Sequence, residues 1–327
     1  MSSVCTIVTP GPLIDKYFAA YVIRVQAESG YPKALARGVR EGGADFRRWE
    51  TLAELPLPVP PLEHQRRVVA FLNYETAQIN SLVEKQERLI ETLAERRQAV
   101  ISHAVTKGLD PTAQMKDSGV EWLGSVPESW VAAPIKWIAS LTTGMTPASD
   151  DAANYSDEAE GFPWIRPEDL IESGITTTAS RFVSALGWNI SRIVPAGATL
   201  LCCIGATVGK VGIIDEACST NQQITSLKSA GHDRYFFYAV LASKPELVSS
   251  ATGNTMPILN SGRLGSIVLP VPPLAEQAAI AAHLDRETAQ MDALAAKARE
   301  MIDVLKERRQ ALISAAVTGK IDVRGLS

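Results

Sequence analysis

The sequence is poor in residues that build cross-links. Its 327 residues include four cysteines and four histidines. Cys5, Cys202, Cys203 and Cys218 form no CxxC pair and the histidines are scattered, so no metal site is expected. Cys202 and Cys203 lie in the apolar run 199–204, which reads as buried small hydrophobes in a reducing cytoplasm. No stretch of about 18 residues is free of charges and turn formers, so no membrane span is expected. The N-terminus lacks a basic segment followed by an apolar core and does not read as a secretory signal. Basic residues are not in excess: 32 Lys+Arg stand against 36 Asp+Glu, a net charge of −4. On average, that gives no reason to expect nucleic acid. The 46% of hydrophobic residues excludes disorder as the main state, and the length suits about two domains.

Catalytic signatures are missing as well. There is no Asn/Asp-Pro-Pro-Tyr/Phe tetrapeptide, no glycine-rich cofactor loop, no nucleophile elbow and no His-Glu-x-x-His. Gly205-Ala206-Thr207-Val208-Gly209-Lys210 resembles a phosphate loop only superficially. It has three residues between its glycines, is followed by Val211, and sits between two strand-like runs. A tight turn with glycines at positive φ is expected there. Taken together, these absences point to binding or scaffolding.

What is present is a repeat. Leu57-Pro58-Val59-Pro60-Pro61-Leu62 returns as Leu269-Pro270-Val271-Pro272-Pro273-Leu274, an offset of 212 residues. Glu75-Thr76-Ala77-Gln78 and Glu95-Arg96-Arg97-Gln98-Ala99 return at the same offset. Over residues 57–108, 27 of 52 positions are identical to their counterparts without a gap. Two copies of one module therefore flank about 160 unrelated residues.

Each copy opens with an apolar, strand-like run closed by prolines (55–61 and 267–273), after which the period changes. Leu72, Ile79, Gln86, Leu93 and Val100 recur every seventh residue, with Leu82 and Leu89 three residues after Ile79 and Gln86. The second copy places Leu284, Met291, Ala298, Leu305 and Leu312 in the same way, with Leu294 and Met301 between them. This heptad seam predicts coiled-coil helices over 63–107 and 275–318, which contain no proline or interior glycine. A helix of roughly 45 residues spans about 67 Å and cannot bury one apolar stripe by itself. The other copy in the same chain, or the helix of another chain, supplies the partner. The long connection permits either direction of pairing.

Residues 109–267 lose the heptads. Short β-rich runs at 199–204, 208–214 and 223–227, separated by Gly and Pro, predict a mixed, strand-containing globular domain. Residues 1–54 hold similar material in smaller amount: a helical run at 17–24, then a basic stretch with Arg37, Arg40, Arg47 and Arg48. The domain plan is thus 1–54, 55–108, 109–267 and 268–327. The middle domain has ten basic and sixteen acidic residues, and five of its acids (Asp150, Asp151, Asp157, Glu158, Glu160) share one polar stretch. A local basic strip is still compatible with this balance.

The layout resembles the specificity (S) subunit of type I restriction–modification systems over nearly the whole chain. Gln65 and Gln277, each after a PVPPL segment, match the family's central and distal conserved regions. Glu121 to Trp130, Thr143-Gly144-Met145-Thr146-Pro147, Phe162 to Leu170 and Ser219-Thr220-Asn221-Gln222 follow its target-recognition pattern in order. The resemblance implies an α+β fold: a mixed target-recognition domain at 109–267 plus two long helices in an antiparallel coiled coil. It implies a non-catalytic subunit that reads a half-site of a split double-stranded DNA target, with helix length as a ruler for the spacer. It also implies modification (methyltransferase) subunits and a restriction (translocase–endonuclease) subunit as partners, which would carry S-adenosylmethionine, ATP and Mg. Residues 1–54 match only the end of a first recognition domain. A misassigned start, a truncated gene or a half-type subunit that dimerises would each account for that. A structural coiled-coil adaptor, or the recognition part of a fused methyltransferase–nuclease, is the alternative reading.

In that frame Thr143, Thr146, Ser149, Arg166, Thr220, Asn221 and Gln222 are expected to read bases, and Arg192 and Lys210 to contact phosphates. Turn-stabilising networks are the alternative for Thr146, Asn221 and Gln222. Arg96, Arg97, Arg308 and Arg309 recur in both helices, either as a solvated face or as contacts to a partner. Leu72, Ile79, Leu82, Leu89, Leu93, Leu284, Met291, Leu294, Met301 and Leu305 are expected in the seam. Trp122, Trp130, Trp137 and Trp164 are expected in the core.

Overall fold

The computed structural model describes residues 8–28, 57–157, 160–172, 176–253 and 255–323. The basic stretch 37–48 and Cys5 lie outside the described residues. The chain divides into two compact units: 1–91 with 295–327, and 92–294.

In the first unit α1 (Lys16–Glu28) starts at Asp15, whose Oδ1 accepts the N–H groups of Tyr17 (2.9 Å) and Phe18 (3.2 Å). The first long helix, α2 (Leu62–Lys107), follows the proline segment as expected. Phe18 and Val22 of α1 and Val68, Val69 and Leu72 of α2 share one core with Ile313, Ala316, Val317 and Val323. The beginning of one long helix thus meets the end of the other.

Among the described residues, the second unit holds thirteen short strands. In chain order they are β1 (Met115–Asp117), β2 (Ser125–Pro127), β3 (Val131–Pro134), then the one-turn helix α3 (Ile135–Ile138) and β4 (Ala139–Thr143). Next come β5 (Tyr155–Ser156), β6 (Phe162–Ile165), β7 (Arg181–Val183), α4 (Ala185–Ile190), β8 (Ile193–Val194), β9 (Thr199–Cys202), β10 (Val211–Ile213), β11 (Cys218–Thr220) and β12 (Ile224–Ser229). Helices α5 (Asp233–Ala242), α6 (Lys244–Ser249) and α7 (Ser261–Ser266) precede β13 (Val268–Val271) and the second long helix, α8 (Leu274–Val317). One sheet runs β10-β9-β12-β4, all antiparallel; another runs β5-β7-β6-β11-β8, with β6 and β11 parallel. The apolar run at 199–204 gives β9, buried at every position because both of its faces are covered. Helix α5 is apolar on all sides and is buried from Tyr235 to Ala242. It shares a core with Ile101, Ala104 and Val105 of α2 and Ile280, Ala281 and Leu284 of α8. Here the end of α2 meets the beginning of α8, so within each unit the two long helices pair in antiparallel sense.

The seam itself needs correction. Leu72, Ile79, Leu284, Met291 and Leu305 are buried and Leu93 is half-buried, but Leu82, Leu89, Leu294 and Met301 are exposed. Their places in the seam are taken by Val83, Ile90, Ala295 and Ile302, one residue further on. Knobs alternate by three and four residues, and the frame runs Thr76, Ile79, Val83, Gln86, Ile90. In α2 apolar residues stand at both candidate positions, so periodicity alone does not separate the two frames. In α8 Ala295 and Ala298 sit at buried positions, where small side chains allow close backbone approach. Trp137 also departs from expectation: it is 74% exposed, on the outer side of α3, and Trp122 is half-buried, while Trp130 and Trp164 are core.

The repeat goes further in space than in sequence. Gln65 is fully buried; its Oε1 accepts Asp15 N–H (2.8 Å) and its Nε2 donates to Pro60 O (2.7 Å) and Leu13 O (3.0 Å). In the second unit Gln277 Oε1 accepts His232 N–H (3.0 Å) and Nε2 donates to Pro272 O (2.8 Å). Tyr21 OH donates to Asn73 Oδ1 (2.9 Å), and Tyr238 OH to Asp285 Oδ1 (2.7 Å). Asp15 and His232 are both helix N-caps, so α1 occupies the place in its unit that α5 occupies in the other.

Candidate nucleic-acid interface

Four connections of the second unit converge: the loop after β4, the turn after β6, the β9–β10 hairpin and the turn after β11. Backbone bonds tie them together, from Met145 N to Thr220 O (2.8 Å), Gly144 N to Ile224 O (2.9 Å), Asn221 N to Ile165 O (3.2 Å) and Cys203 N to Gln223 O (2.7 Å). Gly144 is required here, because a Cβ would lie 2.2 Å from both Asn221 O and Thr220 Oγ1. The hairpin turn has Gly205 at φ 92° and Gly209 at φ 87°, as the sequence suggested.

The residues chosen from sequence separate into two groups. Ser149, Gln222 and Arg192 are exposed, and Thr146 is half-exposed and hydrogen-bonds Gln222 Oε1 through its hydroxyl. Lys210, half-buried, donates Nζ to Pro167 O (3.0 Å), and Arg192 Nη1 donates to Thr143 O (2.9 Å). The others face inward. Thr143 Oγ1 lies 3.2 Å from Thr225 Oγ1, and Thr220 is fully buried. Asn221 spends its amide on Gln223 Oε1 (2.9 Å) while its Oδ1 accepts Gln223 N–H (3.2 Å). This is the turn network that the local sequence offered as the alternative.

Arg166 illustrates what sequence reasoning missed. Its Nη1 pairs with Glu168 (2.8 Å), Nη2 donates to Ser180 Oγ (3.1 Å), and the guanidinium carbon lies 5.9 Å from the Trp164 ring centre. Asp169 Oδ2 accepts Arg166 N–H (2.8 Å) and shapes the turn. The Arg-x-Glu-Asp spacing was the available signal. In the helices, Arg96 and Arg308 are exposed, but Arg97 and Arg309 turn toward the opposite helix and are not a solvated face. Burial pushes the Cys203 thiol up to about 11 and the Cys218 thiol up to about 12, which suits inert core cysteines. Among the described residues, no three His, Cys, Asp or Glu side chains cluster to hold a metal, and no helix is long and apolar enough to cross a membrane.

Two long helices that pair antiparallel within each unit, with a strand-rich stretch between them in the chain whose connections are tied together by backbone hydrogen bonds, define a class of architecture. The same fold occurs in a chain of a solved type I R-M system complex (TM-score 0.73, 20% identity, 93% of this chain and 71% of that one). It also occurs in the HsdS subunit of Thermoanaerobacter tengcongensis (TM-score 0.50, 20% identity, 94% and 71%). The family model for the type I restriction modification DNA specificity domain matches residues 127–302, more than half of the sequence, and the chain belongs to that family. Similar proteins include the EcoBI specificity subunit of Escherichia coli, 29% identical over 64% of this chain and 43% of the relative. Another is a putative MjaX specificity subunit of Methanocaldococcus jannaschii, 25% identical over 95% of this chain and 69% of the relative. The chain therefore spans less than half of the first of these relatives.

Proposed function

We propose that this chain is the non-catalytic, sequence-specific DNA-binding specificity subunit of a type I restriction–modification complex, acting in the cytoplasm on a half-site of a split target. The family match over 127–302 carries the reading, because it covers all four of the converging connections. Thr146, Ser149 and Gln222 read base edges, since they keep polar side chains at the surface. Arg192 and Lys210 contact phosphates. Arg166 acts only by exchanging Glu168 for a nucleic-acid acceptor. Thr143, Thr220 and Asn221 hold the loops. Modification subunits, docked on the helices, bring S-adenosylmethionine chemistry; a restriction subunit brings ATP and Mg. Residues 109–267, with ten basic and sixteen acidic residues, do not coat DNA alone, so the partners share phosphate neutralisation.

The test is selection and sequencing of duplexes bound from a randomised pool by the chain, with and without its modification subunit, followed by anisotropy titration of the enriched duplex at several salt concentrations. Enrichment of one motif with steep salt dependence supports the reading. Salt-insensitive binding, or none in the complex, refutes it.

A further inference from the structure

The apolar seam of α2 and α8 is interrupted by arginine at one position in each copy. Arg97 and Arg309 are 212 residues apart, and the residues they reach across to, Asp292 and Asn80, are also 212 apart. Arg309 Nη1 donates to Asn80 Oδ1 at 2.7 Å in the first unit. In the second unit Arg97 Nε lies 3.8 Å from Asp292 Oδ1; the Arg97 side chain is 14% exposed, with Nε and Nη2 buried and without a hydrogen-bond partner. A guanidinium held in this way is not retained for stability, because apolar residues of similar volume serve a seam as well or better.

The rest of the seam does not select one alignment. Val83 and Ile90, like Ala295 and Ile302, are a heptad apart, so sliding α8 by seven residues again sets apolar against apolar. The polar pairs do distinguish the alignments. A slide in one direction gives Arg309 Glu87 to face, but sets Arg97 against Arg299, a like charge, and Asp292 against Ala104, which offers it no cation. A slide in the other sets Arg97 against Asp285 and Arg309 against Asn73. Asp285 is already held by Arg234 (2.6 Å) and Tyr238 (2.7 Å), and Asn73 by Tyr21 (2.9 Å).

We infer that Arg97–Asp292 and Arg309–Asn80 are register pins that hold α2 and α8 in a single alignment. They are positioning pairs, one pair in each unit. On the proposed function, for which helix alignment sets target spacing, they are also determinants of specificity; the pinning stands without that reading.

The experiment places spin labels at the exposed positions Lys85→Cys and Lys306→Cys, in a Cys5→Ser background of the full chain, and measures their distance distribution. The parent should give one narrow distance. The variant carrying Asn80→Leu, Arg97→Leu, Asp292→Leu and Arg309→Leu should melt no lower than the parent and gain a population displaced along the helix by about 10 Å, one heptad. The charge-reversed variant Arg97→Asp with Asp292→Arg should return a single distance. An unchanged single distance in the fourfold variant overturns the proposal. So does its unfolding, which would make the pairs props of stability. Neither result depends on DNA binding, so failure here is separate from failure of the functional reading.

Discussion

Replacing Gln277 with alanine tests whether the recurring glutamine is a structural clasp. Its side chain is buried, accepts His232 N–H at 3.0 Å and donates to Pro272 O at 2.8 Å. Gly231 crowds it so closely that a Cβ there would lie 2.7 Å from Gln277 Oε1. Truncation leaves one buried donor and one buried acceptor unmet, at about 1–3 kcal/mol each. Some water entry into the space offsets part of this, so a loss of about 2–4 kcal/mol is expected. Five of the six tryptophans (122, 130, 137, 164 and 188) lie in the second unit and Trp49 lies outside the described residues, so urea denaturation followed by tryptophan fluorescence in a Trp49→Phe background reads the unfolding of that unit. The midpoint should fall while the slope stays constant. A change below about 0.5 kcal/mol, the range of ordinary surface substitutions, would refute the clasp. Gln65→Ala, which loses three hydrogen bonds, should destabilise the first unit at least as much, read by far-UV circular dichroism.

Gly144→Ala forces the loop after β4 away from Asn221 O and Thr220 Oγ1; DNA affinity should drop at least tenfold in anisotropy titrations while the chain stays folded, and unchanged affinity would count against this loop as a reader. Ile302→Ala should cost about 2–4 kcal/mol in thermal or urea melts, whereas Met301→Ala should stay within about 0.5; the reverse order would restore the frame first expected. Native-state alkylation at pH 8 followed by mass spectrometry should leave Cys202, Cys203 and Cys218 unmodified, since all three are buried and Cys203 and Cys218 are held as thiols. Rapid labelling of any of them would contradict the core described here.

The repeat and the helix lengths were legible in sequence because a heptad is a periodic signal that proline and glycine delimit sharply. The expected helices at 63–107 and 275–318 agree with Leu62–Lys107 and Leu274–Val317 to within a residue. The seam was half legible. Leu82 beside Val83 and Leu89 beside Ile90 give two frames of equal hydrophobicity, and only the opposite helix decides between them. The equivalence of α1 and α5 was hidden, since Asp15 and His232 cap their helices with different side chains and are 217 rather than 212 residues apart. At the candidate interface the sequence located the loops but not the direction of each side chain. Thr220 and Gln222 are two residues apart, one in a buried strand and the other at the surface. That choice is made by the parallel pairing of β11 with β6 and the close approach of Gly144. Neither leaves a local mark in sequence.

The most direct measurement is a genome-wide map of methylated adenines and cytosines in cells expressing this chain with its modification subunit, compared with cells lacking the chain. The account predicts that one bipartite or palindromic motif is methylated only when the chain is present, and that Gln222→Ala or Thr146→Ala changes or abolishes that motif. Identical maps with and without the chain, in cells where both proteins are present and folded, would contradict it.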